Sequence, residues 1–189
     1  MNTEKVDRRI RKTRRQLLNG LTTLMENKDI KDISVKELTD FVDINRGTFY
    51  LHYKDIFDML EIVENDFFEE FNILLNNDVI DSDFPNPHTV LTNIFSYLYK
   101  HREMTSALIS PHGDLSFLIK LKVIVQEHIR YVWDKHNLDQ DAVDYYSAFI
   151  ISGCVGLIEV WLQNKCTKSI EEMVLISQKM ILSGIEVFS

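Results

Sequence analysis

Cysteine is scarce. The 189 residues hold two, Cys154 and Cys166, too few for a disulfide framework and wrongly spaced for a zinc site. A redox pair between them stays open, although buried, inert thiols suit the general behaviour of free cysteine better. Long apolar runs are missing as well. No stretch is expected to span a membrane, and Met1 to Arg15 is dominated by charge rather than by the apolar run of a signal peptide, so a cytoplasmic protein without a membrane partner is expected. Segments of period 2 bounded by hairpin signals are absent, as is any internal repeat, which argues against sheets and solenoids. No glycine loop cradles a phosphate and no GxSxG motif occurs. The histidines, His52, His88, His101, His112, His128 and His136, are scattered without HxxxH or HExxH spacing or a Cys/His cluster, so neither a metal nor a cofactor is expected. Carboxylates are abundant but fall on charged helix faces. A catalytic reading therefore has no residue to carry it, and no enzyme is expected.

What is present is helical throughout, and the fold class expected is all-α. A long helix is predicted over Asp7–Asn27, with Ile10, Leu17, Leu21 and Leu24 on one side. Gly20 within it costs about 1 kcal/mol relative to alanine, which implies close packing against a neighbour. After a polar loop come two short helices within Ile33–Lys54, then a helix over Asp55–Asn76 too long for a small unit alone. The segment Asn76–Pro87 breaks it. Further helices are predicted over His88–Lys100, Arg102–Ile109, Leu115–His136, Asp141–Asn164 and Ser169–Val187. Two domains follow, residues 1–54 and 55–189.

Charge separates the same two parts. Residues 1–54 hold 12 Lys/Arg against 8 Asp/Glu, a net of +4, whereas residues 55–189 hold 9 against 21, a net of −12. A polyanion would meet the N-terminal part and be repelled by the rest, which orients an encounter. A basic tail without a partner is the alternative.

The stretch Ile33–Lys54 carries the most specific pattern. Ser34 and Glu37 have capping-box spacing, so a helix is predicted to start at Ser34 with Val35, Leu38 and Phe41 buried. Asp43 tolerates the left-handed conformation at a helix exit, and Asn45 suits the N-cap of a second helix from Arg46 to about Tyr53. At about 100° per residue, Phe49 and Tyr53 point back while Gly47, Thr48 and Leu51 face outward. Such a pair reads as a helix-turn-helix whose second helix suits base edges and phosphates in a major groove. An ordinary helical hairpin with solvated Thr and Arg is the competing reading of the pattern alone.

The run RGTFYLHYKD, with Arg11-Lys12-Thr13-Arg14 and Ile33-Ser34-Val35-Lys36-Glu37-Leu38 before it, resembles the recognition-helix region of the TetR/AcrR family of bacterial transcription regulators. The match covers roughly Arg11 to Leu60, and the remainder agrees only in helical layout. Two departures stand out: Asp43 where many members have glycine, and Ile56 where many have a lysine that touches phosphate, a role Lys54 could take over. The resemblance implies an N-terminal three-helix helix-turn-helix domain and a C-terminal helical bundle for ligand binding and dimerisation. It implies Arg46, Gly47, Thr48 and Leu51 at base edges of double-stranded operator DNA. Phosphates would fall to Thr13, Ser34, Lys36, Asn45, Tyr50, His52 and Lys54.

Within residues 55–189, aromatic and apolar residues around His128 suggest a site for a small-molecule effector, with Phe95, Leu98, Phe117, Leu121, Val125, His128 and Trp133 as candidates. Ordinary core packing is the alternative, and a ligand is implied chiefly by the resemblance. The last two long helices are apolar on two sides each. One side of each, Phe149, Gly153, Gly156 and Val160 on the first and Met173, Met180 and Gly184 on the second, is expected at a homodimer interface, since one helix-turn-helix commonly needs a twin. The function expected is a repressor released by a small-molecule effector. The rivals are an activator or co-regulator answering to a protein partner, and a helical enzyme or binding module without a DNA role.

Overall fold

The computed structural model describes the backbone of residues 3–80, 86–110, 112–135 and 140–185, with side chains over 8–76, 86–110, 112–135 and 142–181. The described residues form α-helices joined by turns: α1 (Thr3–Met25), α2 (Val35–Phe41), α3 (Arg46–Tyr50), α4 (Ile56–Ile80), α5 (Pro87–Lys100), α6 (Arg102–Ile109), α7 (Leu115–Lys135), α8 (Gln140–Gln163) and α9 (Ile170–Ile185). A single 3-10 turn, Ile30–Asp32, precedes α2. His136 lies outside the described residues, and of Gly184 only the backbone is described.

Packing divides the chain into two units. The first comprises Met1–Asp66 with Glu103–Phe117, the second Phe67–Arg102 with Leu118–Ser189. The division therefore falls inside α4 rather than at Lys54, because the first turns of α4 supply Ile56, Met59 and Leu60 to the core that holds Leu17, Leu21, Leu38, Phe49 and Tyr53. The excursion through α6 has no counterpart in the expected domains. Met104, Thr105, Ala107, Leu108 and Phe117 are all buried in the first unit.

Capping chemistry explains where helices start. At α9 the box is complete: Glu172 N–H donates to Ser169 Oγ (3.2 Å), and Ser169 N–H donates back to Glu172 Oε2 (2.8 Å). At α2 only half forms. Glu37 N–H donates to Ser34 Oγ (3.1 Å), but the Glu37 carboxylate pairs with Lys28 from the preceding loop. Asp55 caps α4 by accepting from Asp58 N–H at 2.8 Å.

In the second unit, Leu91 and Phe95 of α5, Trp161 of α8, and Met173 and Val174 of α9 form one apolar cluster. Phe95 and Trp161 meet edge to face with ring centroids 5.3 Å apart, and the Trp161 indole N–H donates to Lys168 O at 2.8 Å, so the buried ring keeps no orphan donor. The reversal after α8 uses two successive left-handed residues, Lys165 (φ 53°) and Cys166 (φ 52°).

Candidate DNA interface and ligand cavity

The helix-turn-helix is built on a close approach at Gly20. A Cβ there would lie 2.1 Å from Val42 Cγ1 and 3.1 Å from Leu38 Cδ1, so the hydrogen of glycine is what lets α1 reach the end of α2. Val42 is held in place from both directions. Its N–H donates to Leu38 O (3.1 Å) and its carbonyl accepts from Gln16 Nε2 (2.7 Å). Asp43 then turns the chain with φ 52°, the left-handed conformation expected of it, and Ile44 N–H closes the turn on Thr39 O at 2.9 Å. The buried side of α2 differs from the expected stripe. Phe41 is 55% exposed, while Thr39 is fully buried with its hydroxyl donating to Val35 O at 2.8 Å. A satisfied hydroxyl can occupy a core position that periodicity assigns to an apolar residue.

Asn45 accepts from Gly47 N–H through its side-chain oxygen (2.7 Å) and so starts α3. This helix is shorter than predicted, ending at Tyr50, with Leu51 at its C-cap and the backbone N–H groups of His52 and Tyr53 donating to Phe49 O. Phe49 is completely buried and Tyr53 nearly so. The opposite side is open: Arg46, Gly47 and Tyr50 are exposed, Leu51 is 81% exposed, and Thr48 is half-buried. Of the expected phosphate residues, Ser34, Lys36, Asn45 and Lys54 are exposed, whereas Thr13 and His52 are half-buried. The Arg14 guanidinium lies 5.9 Å from the Tyr53 ring centroid, and it lowers the His52 pKa after burial, the larger cause.

The second unit holds a partly open cavity of about 250 Å³. α4 contributes Phe71 and Leu75; α5 contributes Leu91, Ile94, Phe95 and Leu98. α7 presents Leu121, Lys122, Val125, His128, Ile129, Val132 and Trp133, and α8 presents Tyr146, Ile150, Ile151, Cys154, Val155 and Ile158, with Ile181 from α9. Its surface is almost wholly apolar. Burial pushes the Tyr146 phenol up to about 12 and the Cys154 thiol up to about 11, so both stay neutral at physiological pH.

Six of the seven candidate effector residues, Phe95, Leu98, Leu121, Val125, His128 and Trp133, come together around this space. Phe117 does not. It is fully buried and falls with the first unit, whereas the cavity begins one turn later at Leu121. The cavity wall from α4, α8 and α9 was not foreseen. Its α8 residues belong to a segment without charge from Tyr145 to Ile158, a hint that this helix is apolar on more than one side.

The outer face of α8 carries Phe149 (68% exposed), Gly153 and Val160 (56%), and Met180 of α9 is 57% exposed. Outside the adjoining residues and turns of α8 itself, no atom of the described residues lies within 4 Å of a Cβ built on Gly153 or Gly156. Met173 departs from the expected interface: it is 4% exposed and sits in the cluster with Phe95 and Trp161, since that side of α9 leans on α5. Contrary to expectation, Ala142–Gln163 is long and apolar enough to cross a membrane by length and composition, with 28% of its most apolar window buried within the chain. Among the described residues no three His, Cys, Asp or Glu converge as a metal site would require.

A buried-and-open second helix after a three-residue-scale turn, together with an apolar cavity in a separate helical unit, defines the class of helix-turn-helix transcriptional regulators. The model for a transcriptional regulator C-terminal region matches residues 85–183, the part of the chain where the motif resemblance was weakest. The chain belongs to the TetR/AcrR family of transcriptional regulators. YxbF of Bacillus subtilis, an uncharacterized HTH-type transcriptional regulator, is 25% identical over 172 residues, covering 87% of this chain and 42% of its own length. The chain thus spans less than half of that relative. Two solved structures share the fold: the dihydroxyacetone kinase operon activator DhaS, and FadR of Bacillus subtilis in complex with stearoyl-CoA. DhaS aligns with a TM-score of 0.60 at 15% identity over 93% of this chain and 97% of its own. FadR aligns at 0.64 with 14% identity over 89% and 97%.

Proposed function

We propose that the protein is a homodimeric, operator-binding regulator of the cytoplasm, a repressor that a small, largely apolar molecule releases. The observation that carries this reading is the division of labour in α3 and its C-cap, where Phe49 anchors the helix in the core and leaves Arg46, Gly47 and Leu51 open, with Thr48 half-buried beside them. Base contacts then come from those four, with Leu51 meeting a thymine methyl, and Thr13, Ser34, Lys36, Asn45, Tyr50, His52 and Lys54 position the protein on phosphates. The exposed apolar side of α8 and α9 is read as the seat of a second copy. A membrane would suit that side too, but α8 spends its other side on the cavity and on the Trp161 cluster, and regulators of this class work on duplex DNA.

The α7 surface favours a second reading. Leu115 (72%), Ile119 (55%) and Val123 (46%) are exposed at four-residue spacing, a stripe suited to a protein partner of an activator. DhaS, which shares the fold, is an operon activator. The experiment that tests the main reading is selection from random duplexes at moderate salt, followed by titration of the recovered operator with candidate effectors. A palindromic consensus, and weaker operator binding with an effector, are expected. No consensus overturns the assignment, and a copurifying protein that strengthens operator binding selects the activator reading.

A further inference from the structure

The cavity distributes charge unevenly. No Asp or Glu stands among its described lining residues, and Tyr146 and Cys154 are held protonated by burial. Lys122 is the aliphatic amine among them. Because nearly all of the lining surface is apolar, Lys122 contributes its methylene stem to the wall and next to none of its ammonium. The residue is half-buried and makes no hydrogen bond or ion pair among the described residues. A cation held beside an apolar space, without a carboxylate of its own, is complementary to one kind of ligand.

We infer that the cavity takes an apolar monoanion, with its hydrocarbon body among the α5, α7 and α8 side chains and its carboxylate on the Lys122 ammonium. This deepens the effector site proposed above and rests on that site, though not on any DNA-binding step. The hydrocarbon supplies most of the affinity, roughly fourfold for each methylene buried. Lys122 supplies the choice of head group: a partly exposed ion pair adds about fivefold, while a neutral hydroxyl leaves the ammonium in water and gains nothing from it.

The test is calorimetric titration of the whole chain, without DNA, against decanoate and decan-1-ol at low ionic strength. Decanoate should bind about fivefold tighter, and the advantage should shrink as salt is raised. Lys122→Met keeps the stem and removes the charge, so it should erase the preference while leaving decan-1-ol affinity unchanged; Lys122→Arg should retain it. Val125→Trp, which fills the cavity, should abolish binding of both. Equal affinities on the wild type, a preference that survives Lys122→Met, or no binding of either probe would overturn the inference. Titration of the same complexes with the selected operator is read separately. A carboxylate preference without any change in operator affinity supports this inference and refutes the proposed release mechanism.

Discussion

Gly20 offers a direct test of how the turn between α2 and α3 is held. Replacing it with alanine should gain about 1 kcal/mol from helix propensity alone. The new methyl, however, would stand 2.1 Å from Val42 Cγ1 and 3.1 Å from Leu38 Cδ1. Val42 cannot rotate away cheaply, because its β-branched side chain is stiff and its backbone is tied by both the Leu38 and Gln16 hydrogen bonds. Overpacking of this kind typically costs about 1–3 kcal/mol, so the net loss for Gly20→Ala should be about 0–2 kcal/mol. In a Val42→Ala background the methyl has room, and the same substitution should become stabilising by up to about 1 kcal/mol. Urea denaturation of the four proteins gives the coupling directly, expected at about 1–3 kcal/mol. Because Val42 leads into the Asp43 turn, operator affinity should follow the same pattern. Gly20→Ala raising the urea midpoint of the wild type would refute the close approach.

Asp43→Val should lower stability by about 1–2 kcal/mol whereas Asp43→Gly should not, since φ 52° penalises a β-branched residue and suits glycine; urea midpoints check this. Operator binding should weaken steeply with salt, with a log–log slope near −7 for about eight neutralised phosphates, and Thr48→Ala should lose discrimination where Lys36→Ala weakens all sequences alike, as competition assays will read. Phe149→Glu, at a side chain 68% exposed within the chain, should yield folded monomers by sedimentation; a wild type already monomeric at micromolar concentration would remove the premise. The raised pKa values of Tyr146 and Cys154 bear on alkaline stability. Above their ordinary values of 10.0 and 9.0 the unfolded chain releases protons that the native chain keeps until about 12 and 11, so their contribution is full below about pH 9 and is lost through that window. Thermal denaturation from pH 8 to 11 should show the decline, less steeply for Cys154→Val.

Local chemistry was legible in the sequence where it acts over a few residues. Ser34, Asp43 and Asn45 announced their caps and turns, and helices α5 to α9 begin within about one residue of the predicted starts. The Gly20 contact was likewise readable, because a glycine inside a helix needs a reason. What failed to show depends on residues far apart in the chain. Glu37 could not be known to prefer Lys28 over the Ser34 N–H, and nothing local marks α6 as part of the first unit. Phe117 was grouped with Leu121 as an aromatic residue nearby in sequence; only tertiary packing separates the two. Met173 was misplaced for a similar reason, since a helix apolar on two sides does not say which side meets its own chain.

The two-sided character of α8 has a consequence in mass action. Ile150 and Cys154 face the cavity while their chain neighbours Phe149 and Gly153 face outward, so a guest that displaces this helix by a fraction of an ångström also alters the surface a second copy would seat on. If a second copy seats there, as proposed, occupancy and association are linked equilibria, and each must shift the other by the same factor. The effector dose for half-response would drift with the number of regulator copies in the cell, so a bacterium could retune its threshold by changing expression of the regulator alone, with no substitution in the cavity.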